Sequence, residues 1–261
     1  MQRHDNKISV FIGGKQIGVN CLRILLARGI TPKLVIANPD DTGRDTWHES
    51  LVKTAREAGL PVIVGKKVRD PDCVKKIKNL QPEIIFCIGA MQIIPKEVLS
   101  IPRLGCLNIH PALLPKYRGR FSTAHALFNG ERWSGATLHW MDEGIDSGPI
   151  ILQKKVRIEE NDTAKTLYDK VLTGAGSKLF VQFLGLWLAG KTIPSSPQNE
   201  KEASYYPKGL PNNAEIDWSW DGRKINRFIR SMTFEPFRPP TFTIGDKKMI
   251  IVDEKQVRGL N

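Results

Sequence analysis

Two short stretches carry the residues best suited to chemistry. In GCLNIHPALLP, Asn108 and His110 stand two apart. In MDEGIDSGPII, the acids Asp142, Glu143 and Asp146 sit among Gly144 and Gly148. On a strand, i and i+2 side chains share a face, so an amide and an imidazole would project together. An amide and an imidazolium can stabilise an oxyanion, while a carboxylate orients the ring or relays a proton. Asn, His and Asp are therefore the parts of an acyl-transfer site without a Ser or Cys nucleophile. Glycines beside an acid suggest a tight turn with its backbone open to a ligand. No metal is expected, because His110 lacks a second ligand at metal spacing. Each motif alone has a plainer reading: a strand end with satisfied polar groups, and an ordinary turn. Their order and spacing together point to a site. His125 and His139 read as structural.

The elements that must position these residues alternate. Ile8–Ile12, Leu34–Ala37, Pro61–Val64 and Glu83–Ile88 read as strands. Between them, Ile17–Ala27, Thr46–Ala58 and Asp70–Asn79 read as helices. That order implies βαβ units, hence an α/β fold with a parallel sheet covered on both faces. Asn108 and His110 then end a fifth strand, Cys106–Ile109, stopped by Pro111. The C-terminal edge of an open parallel sheet is where ligands bind. The loop to Arg120 brings Lys116, Arg118 and Arg120 toward that edge. Beyond it, Ser122–Asn129 reads as a helix, Thr137–Met141 and Ile150–Ile158 as strands, and Thr163–Ala189 as one long helix. A Pro- and Ser-rich stretch, 191–204, reads as a linker. Residues 205–261 carry Tyr205, Tyr206, Trp218 and Trp220, a helix near Gly222–Met232, and strands at Thr241–Ile244 and Lys248–Val252. The expected division is a catalytic domain over 1–190 and a small C-terminal α+β subdomain over 205–261. The turn Gly13-Gly14 lacks the GxGxxG arrangement of a dinucleotide site, and strand-to-helix turns need glycine anyway.

Composition narrows the classes. The chain has 261 residues, 41% of them apolar, enough for a core. Four cysteines are too few for a disulfide scaffold, and none forms a CxxC pair. They read as reduced and structural in a cytoplasmic protein. The N-terminal MQRHDNKISVFIGG lacks a signal peptide's apolar core. The apolar runs near Ile84–Met91 and Leu179–Ala189 fall short of the roughly 20 residues that span a membrane. Net charge is +12, which fits nucleic acid, a membrane or anionic substrates. The charge is segregated: residues 103–134 hold five cations and one acid, and residues 135–150 hold three acids and no cation. Segregation on that scale suggests a site more than a nucleic-acid surface.

The motifs NIHPALLPKYRG and GIDSGPII, in that order, resemble the formyltransferase family that uses 10-formyltetrahydrofolate. The resemblance covers roughly residues 7–190. It implies a Rossmann-like formyltransferase fold, with Asn108, His110 and Asp146 as the catalytic trio. It implies that the segment Met91, Gln92, Ile93 and Ile94 holds the pterin, and that a loop with Asp142, Gly144 and Ile145 closes over it. His110 would take the amine proton and then, with Asn108, face the oxyanion. Leu138 departs from the β-branched residue more usual there.

Within the family, a glycinamide ribonucleotide enzyme would end near residue 200. A methionyl-tRNA enzyme would carry a larger C-terminal barrel and a basic insertion after the second strand. Here that loop reads NPDDTGRDTW, with Arg44 its only cation. The stretch YYPKGLPNNAEIDWSWDGRKINRFIRSM, through Asp217-Trp218 and the helix bearing Arg227 and Arg230, resembles the C-terminal piece of nucleotide-sugar formyltransferases. The expectation is N-formylation of a nucleotide-linked 4-amino-4,6-dideoxy sugar for lipopolysaccharide O-antigen or related surface polysaccharide. Arg118 would meet the diphosphate, and Tyr206 or Trp218 would stack on the base. Expected partners are folate and the sugar nucleotide, in a homodimer, without nucleic acid or membrane. A formyl-folate hydrolase, usually carrying an extra N-terminal regulatory domain, and a non-catalytic nucleotide or RNA binder on the same scaffold are the competing readings.

Overall fold

Short β-branched runs alternate with amphipathic helices along the first half of the chain, and the computed structural model, which describes residues 7–244 and 246–251, folds them as a layered α/β sheet. The elements are β1 (Ser9–Gly13), α1 (Lys15–Ala27), β2 (Leu34–Ala37), α2 (Leu51–Glu57), β3 (Val62–Ile63), α3 (Pro71–Leu80), β4 (Ile84–Ile88), α4 (Lys96–Leu99) and β5 (Gly105–His110). Then come β6 (Arg118–Gly119), α5 (Ser122–Phe128), β7 (Trp133–Trp140) and β8 (Ile150–Arg157). A long helix follows as α6 (Ala164–Tyr168), a π-helical segment (Asp169–Gly176) and α7 (Ser177–Leu188). The last pieces are β9 (Tyr205–Tyr206), α8 (Gly222–Met232), β10 (Thr241–Ile244) and β11 (Lys247–Ile250).

Seven strands form the central sheet in the order β3-β2-β1-β4-β5-β7-β8. The pairs from β3 to β5 are parallel; β5–β7 and β7–β8 are antiparallel. Alternate strand residues feed two cores, as strand geometry requires. Phe11, Val35, Phe86 and Leu107 face the layer of α1, α2, α5 and α7. Val10, Ile36, Ile85 and Cys106 face α3 and α4. Phe86 meets Phe180, Phe183 and Trp187 of α7 edge-on, at 5.4, 6.4 and 5.6 Å. Such pairs add about 0.5–1.5 kcal/mol each beyond area burial. The continuous helix Ala164–Leu188 is, contrary to the sequence expectation, long and apolar enough to cross a membrane by length and composition. Half of its most apolar window is buried, and its Leu167, Val171, Phe180 and Trp187 lie in the main core.

Most expected elements are present, and the differences have local causes. Helix α2 starts at Leu51, not near Thr46. Ser50 is its N-cap, accepting from Lys53 N–H, and Asp41 accepts from Ser50 Oγ, Leu51 N–H and Val52 N–H. Strand β7 begins at Trp133, four residues early. Gly135 looks like a breaker, but a Cβ there would come within 2.5 Å of Leu113 and the Lys154 carbonyl. Gly13 serves packing: a Cβ would lie 1.9 Å from the Ile88 carbonyl, where β1 meets β4. The expected end of the last strand, Val252, and the segment 252–261 lie outside the described residues. The linker 191–204 is tied to the body rather than free. Ser196 bridges Ile150 by a reciprocal backbone pair, and β9 adds to β6 in parallel. Helix α8 also docks: Arg227 Nε donates to the Phe128 carbonyl and Arg230 Nη1 to the Asp162 carbonyl.

Candidate active site

The fifth strand changes neighbours, and that change builds the site. Strand β5 pairs parallel with β4 on one side and antiparallel with β7 on the other. The register sets Asn108 opposite His139 and His110 opposite Thr137. Opposed residues of an antiparallel pair have Cβ atoms about 5 Å apart, so Asn108 and His139 must touch. The β7–β8 register shifts between Leu138 and His139, the kind of irregularity that re-aims a side chain. Behind the strand, the π segment packs close: a Cβ on Gly176 would sit 3.1 Å from Ile109 Cγ2.

The expected trio is assembled. His110 Nδ1 lies 3.3 Å from Asp146 Oδ2, and Asn108 Nδ2 donates to Asp146 Oδ1 at 3.4 Å. The Gly119 N–H donates to Asp146 Oδ2 at 2.9 Å. His110 Nε2 sits 2.7 Å from the Tyr117 carbonyl. Both ring nitrogens face oxygen atoms, Asp146 Oδ2 and the Tyr117 carbonyl. His110 is 4% exposed and the Asp146 side chain 13%, so solvent screens the pair weakly. Asp146 holds φ 54°, in the left-handed region. Such a conformation costs on the order of 1–3 kcal/mol and persists only where neighbours over-determine it.

His139, read as structural, belongs to the site. Its Nδ1 lies 2.7 Å from the Trp140 carbonyl, and its Nε2 lies 3.3 Å from Asn108 Nδ2. The donor is then Nδ1–H, and Nε2 accepts from the amide. That assignment orients Asn108. Burial pushes the His139 imidazole below the ordinary histidine value, which keeps it neutral beside the His110–Asp146 pair. Sequence spacing alone shows no link between residues 108 and 139; only the strand register supplies it.

The folate-segment residues lie in two loops near this edge. Asn38 accepts from the Met91 N–H and donates to the Gly89 carbonyl, tying the ends of β2 and β4. The Met91 N–H is thereby occupied, while its side chain is exposed. Gln92 accepts from the Val68 N–H, while its buried Nε2 has no partner. Ile93 is exposed and Ile94 buried. Asp142 is exposed and accepts from the Gly144 N–H and Ser147 Oγ of its own loop, so it shapes that loop. A Cβ on Gly144 would reach within 2.0 Å of Ser147 Oγ, and one on Gly148 within 2.0 Å of the Trp140 carbonyl. Gly148 is required by this close approach to backbone, whereas the Ser147 hydroxyl beside Gly144 can rotate away. Ile145 is half exposed at the loop tip. Lys96, at the start of α4, pairs with Glu143 at 2.6 Å and brings the two segments together.

Of the expected sugar-nucleotide residues, Arg118 and Tyr206 are engaged within the protein and Trp218 is exposed. Arg118 is buried, and its guanidinium meets Glu200 through two nitrogens and Gln198 through two. It is spent inside the protein and has no fork left for a diphosphate. The Tyr206 ring stacks on Tyr117 at 5.2 Å and packs on His125 at 4.1 Å, with its hydroxyl accepting from Asn129. Its packing is internal, not aimed at a base. Trp218 stays 59% exposed, and its ring contact is Phe242 of β10. Lys116 and Arg120 are exposed.

The comparisons fit this geometry. A formyl transferase family profile matches residues 9–184. A methionyl-tRNA formyltransferase of Thermodesulfovibrio yellowstonii is 37% identical over 224 residues, 85% of this chain and 72% of that protein. One from Clostridioides difficile is 34% identical, over 95% of this chain and 82% of that protein. Among solved structures, a sugar 3N-formyltransferase crystallised with dTDP and 5-N-formyl-THF has TM-score 0.77 and 30% identity, covering 93% of this chain and 84% of that one. An N-formyltransferase of Helicobacter canadensis, complexed with folinic acid and dTDP-3-aminofucose, has TM-score 0.77 and 29% identity, covering 93% and 86%. With the profile spanning β1 to α7 and both kinds of relative matching the same sheet, the chain belongs to the formyl transferase family and is an enzyme that transfers formyl groups.

Proposed function

We propose that the enzyme N-formylates a nucleotide-linked amino-deoxy sugar, with 10-formyltetrahydrofolate as donor. The observation that carries the acceptor class is the β2–α2 loop. Its acids build the fold: Asp41 accepts from the first two N–H groups of α2, Asp45 accepts from the Ser50 N–H and pairs with Lys53, and Asp40 pairs with Lys15 at 3.8 Å. Arg44 is its only cation, which suits a small anionic substrate better than a tRNA phosphate backbone. The match over 93% of this chain to two sugar enzymes supports the same reading. Because those two carry 3-amino names, an amine at the sugar's 3-position is favoured over the 4-position expected from sequence.

The donor supplies a formyl carbon on its N10. The unpartnered Gln92 Nε2, the exposed Met91 and Ile93, and the Asp142–Ile145 loop fit such a donor. The acceptor amine bonds to the formyl carbon, the carbon–N10 bond breaks, and one amine proton ends on N10. Asn108 and His110 would turn donor groups now held by Asp146, His139 and the Tyr117 carbonyl toward the developing oxyanion. Asp146 orients His110 and relays the amine proton, through water, to N10. The same reading carries a cytoplasmic homodimer serving surface polysaccharide synthesis.

Identity of 37% to a methionyl-tRNA enzyme favours a second reading. Equal amounts of dTDP-3-aminofucose, a dTDP-4-amino sugar and methionyl-tRNA, each with 10-formyltetrahydrofolate, decide between them. Turnover of a sugar nucleotide at least about 100-fold faster than of the tRNA supports the proposal. The reverse ranking overturns it.

A further inference from the structure

We propose that Gln198, in the segment after the long helix, is a positioning residue for the formyl transfer, acting through Asp146. The inference rests on the reading of Asn108, His110 and Asp146 as the catalytic trio. Gln198 Nε2 donates to two carbonyls of the catalytic turn, Asp146 at 2.7 Å and Gly148 at 2.8 Å. Its Oε1 accepts from Arg118 Nε at 3.1 Å and Nη2 at 2.8 Å. All four hydrogen-bonding positions of the amide are therefore used. Arg118 is fixed in turn by Glu200, at 2.9 and 2.6 Å.

The contacts close a ring. From Arg118 the backbone passes to Gly119, whose N–H donates to Asp146 Oδ2. One residue earlier, the Tyr117 carbonyl faces His110 Nε2. The segment that carries Gln198 also holds this stretch through Ser204. Ser204 accepts from the Tyr117 N–H through its hydroxyl and from the Arg118 N–H through its carbonyl. Asp146 has its backbone held by Gln198 and its carboxylate held by the residue after Gln198's own partner. A left-handed residue in a loop rich in glycine needs such external holds to keep one geometry. Residues 196–204 are thus part of the catalytic apparatus rather than a spacer.

Two substitutions separate positioning from folding. Gln198→Glu keeps the acceptor for Arg118 but sets an acceptor against two carbonyls. Gln198→Met removes both functions at similar volume. With dTDP-3-aminofucose and 10-formyltetrahydrofolate, both should lower kcat about tenfold or more, with KM for the donor within about threefold and Tm within a few degrees of wild type. In an Asp146→Asn background, Gln198→Met should cost no further activity beyond about twofold, because the residue acts through Asp146. A readout needing no acceptor is the ring-nitrogen NMR spectrum of His110, which Gln198→Met should shift in the direction that Asp146→Asn does. An unchanged spectrum, kcat within about threefold of wild type, or an equal further loss in the double variant overturns the proposal. If Asp146→Asn itself leaves kcat unchanged, the trio reading fails and this inference with it. If Asp146→Asn is inactive while both Gln198 variants are silent, this inference alone fails.

Discussion

At the residue scale, the site is one half-buried carboxylate with several donors aimed at it. Asp146 receives the Gly119 N–H and the Asn108 amide, and faces the His110 ring. Removing one oxyanion donor typically costs about 100- to 1,000-fold in kcat. Asn108→Ala should therefore lower kcat by about that factor, with Tm little changed; turnover within a few-fold would remove Asn108 from the chemistry. His139→Leu should cost less, on the order of tenfold, because it removes an acceptor that orients the amide. His139→Gln, which restores an acceptor, should recover part of that loss. The neutral histidines also set a pH limit. Burial holds His139 and His125 below the usual histidine value, so the unfolded chain takes their protons first as pH falls. Their contribution to stability is intact above about pH 6.5 and declines below it, by about 1.4 kcal/mol per pH unit per histidine, until the folded state takes the protons. Urea midpoints should drop between pH 7.5 and 5.5. A midpoint that rises over that range would contradict the assignment.

At the element scale, two turns carry the argument. Asp41 begins α2 by accepting from three donors, so Asp41→Ala should cost about 1–2 kcal/mol, read as a lower denaturant midpoint. Gly148→Ala should act on activity, since its Cβ would overlap the Trp140 carbonyl and displace the loop bearing Asp146. A kcat near wild type for that variant would show that the loop tolerates displacement. The elements were legible where residue type and periodicity agree. Leu34–Ala37, Gly222–Met232 and Thr241–Ile244 occur at the expected bounds. They were hidden where a glycine serves packing, as Gly135 does inside β7. Helix α4 and strands β6 and β9 are too short to leave a periodic signal. The trio was legible because its members lie on a strand end and in one turn. Its support was not, because His139 reaches Asn108 through strand register, and Gln198 reaches Asp146 across 52 positions.

At the scale of the whole molecule, the +12 charge is partly spent within the protein. Arg118, one of the cations expected at the catalytic edge, is consumed by Glu200, leaving Lys116 and Arg120 exposed there. Those two should draw in anionic substrates, so kcat/KM should fall as salt rises above about 0.15 M, where the screening length is near 8 Å. The C-terminal piece is joined to the catalytic body through β9 on β6 and α8 on α5. The central claim is that Asn108, His110 and Asp146 transfer a formyl group to a nucleotide-linked amino sugar. Its most direct measurement is the rate of N-formylation of dTDP-3-aminofucose from 10-formyltetrahydrofolate by the wild-type enzyme and by Asp146→Asn. The account predicts turnover by the wild type and a loss of at least about 1,000-fold in the variant, with the fold intact. Equal rates in the two proteins, or wild-type formylation of methionyl-tRNA in place of the sugar, would contradict it.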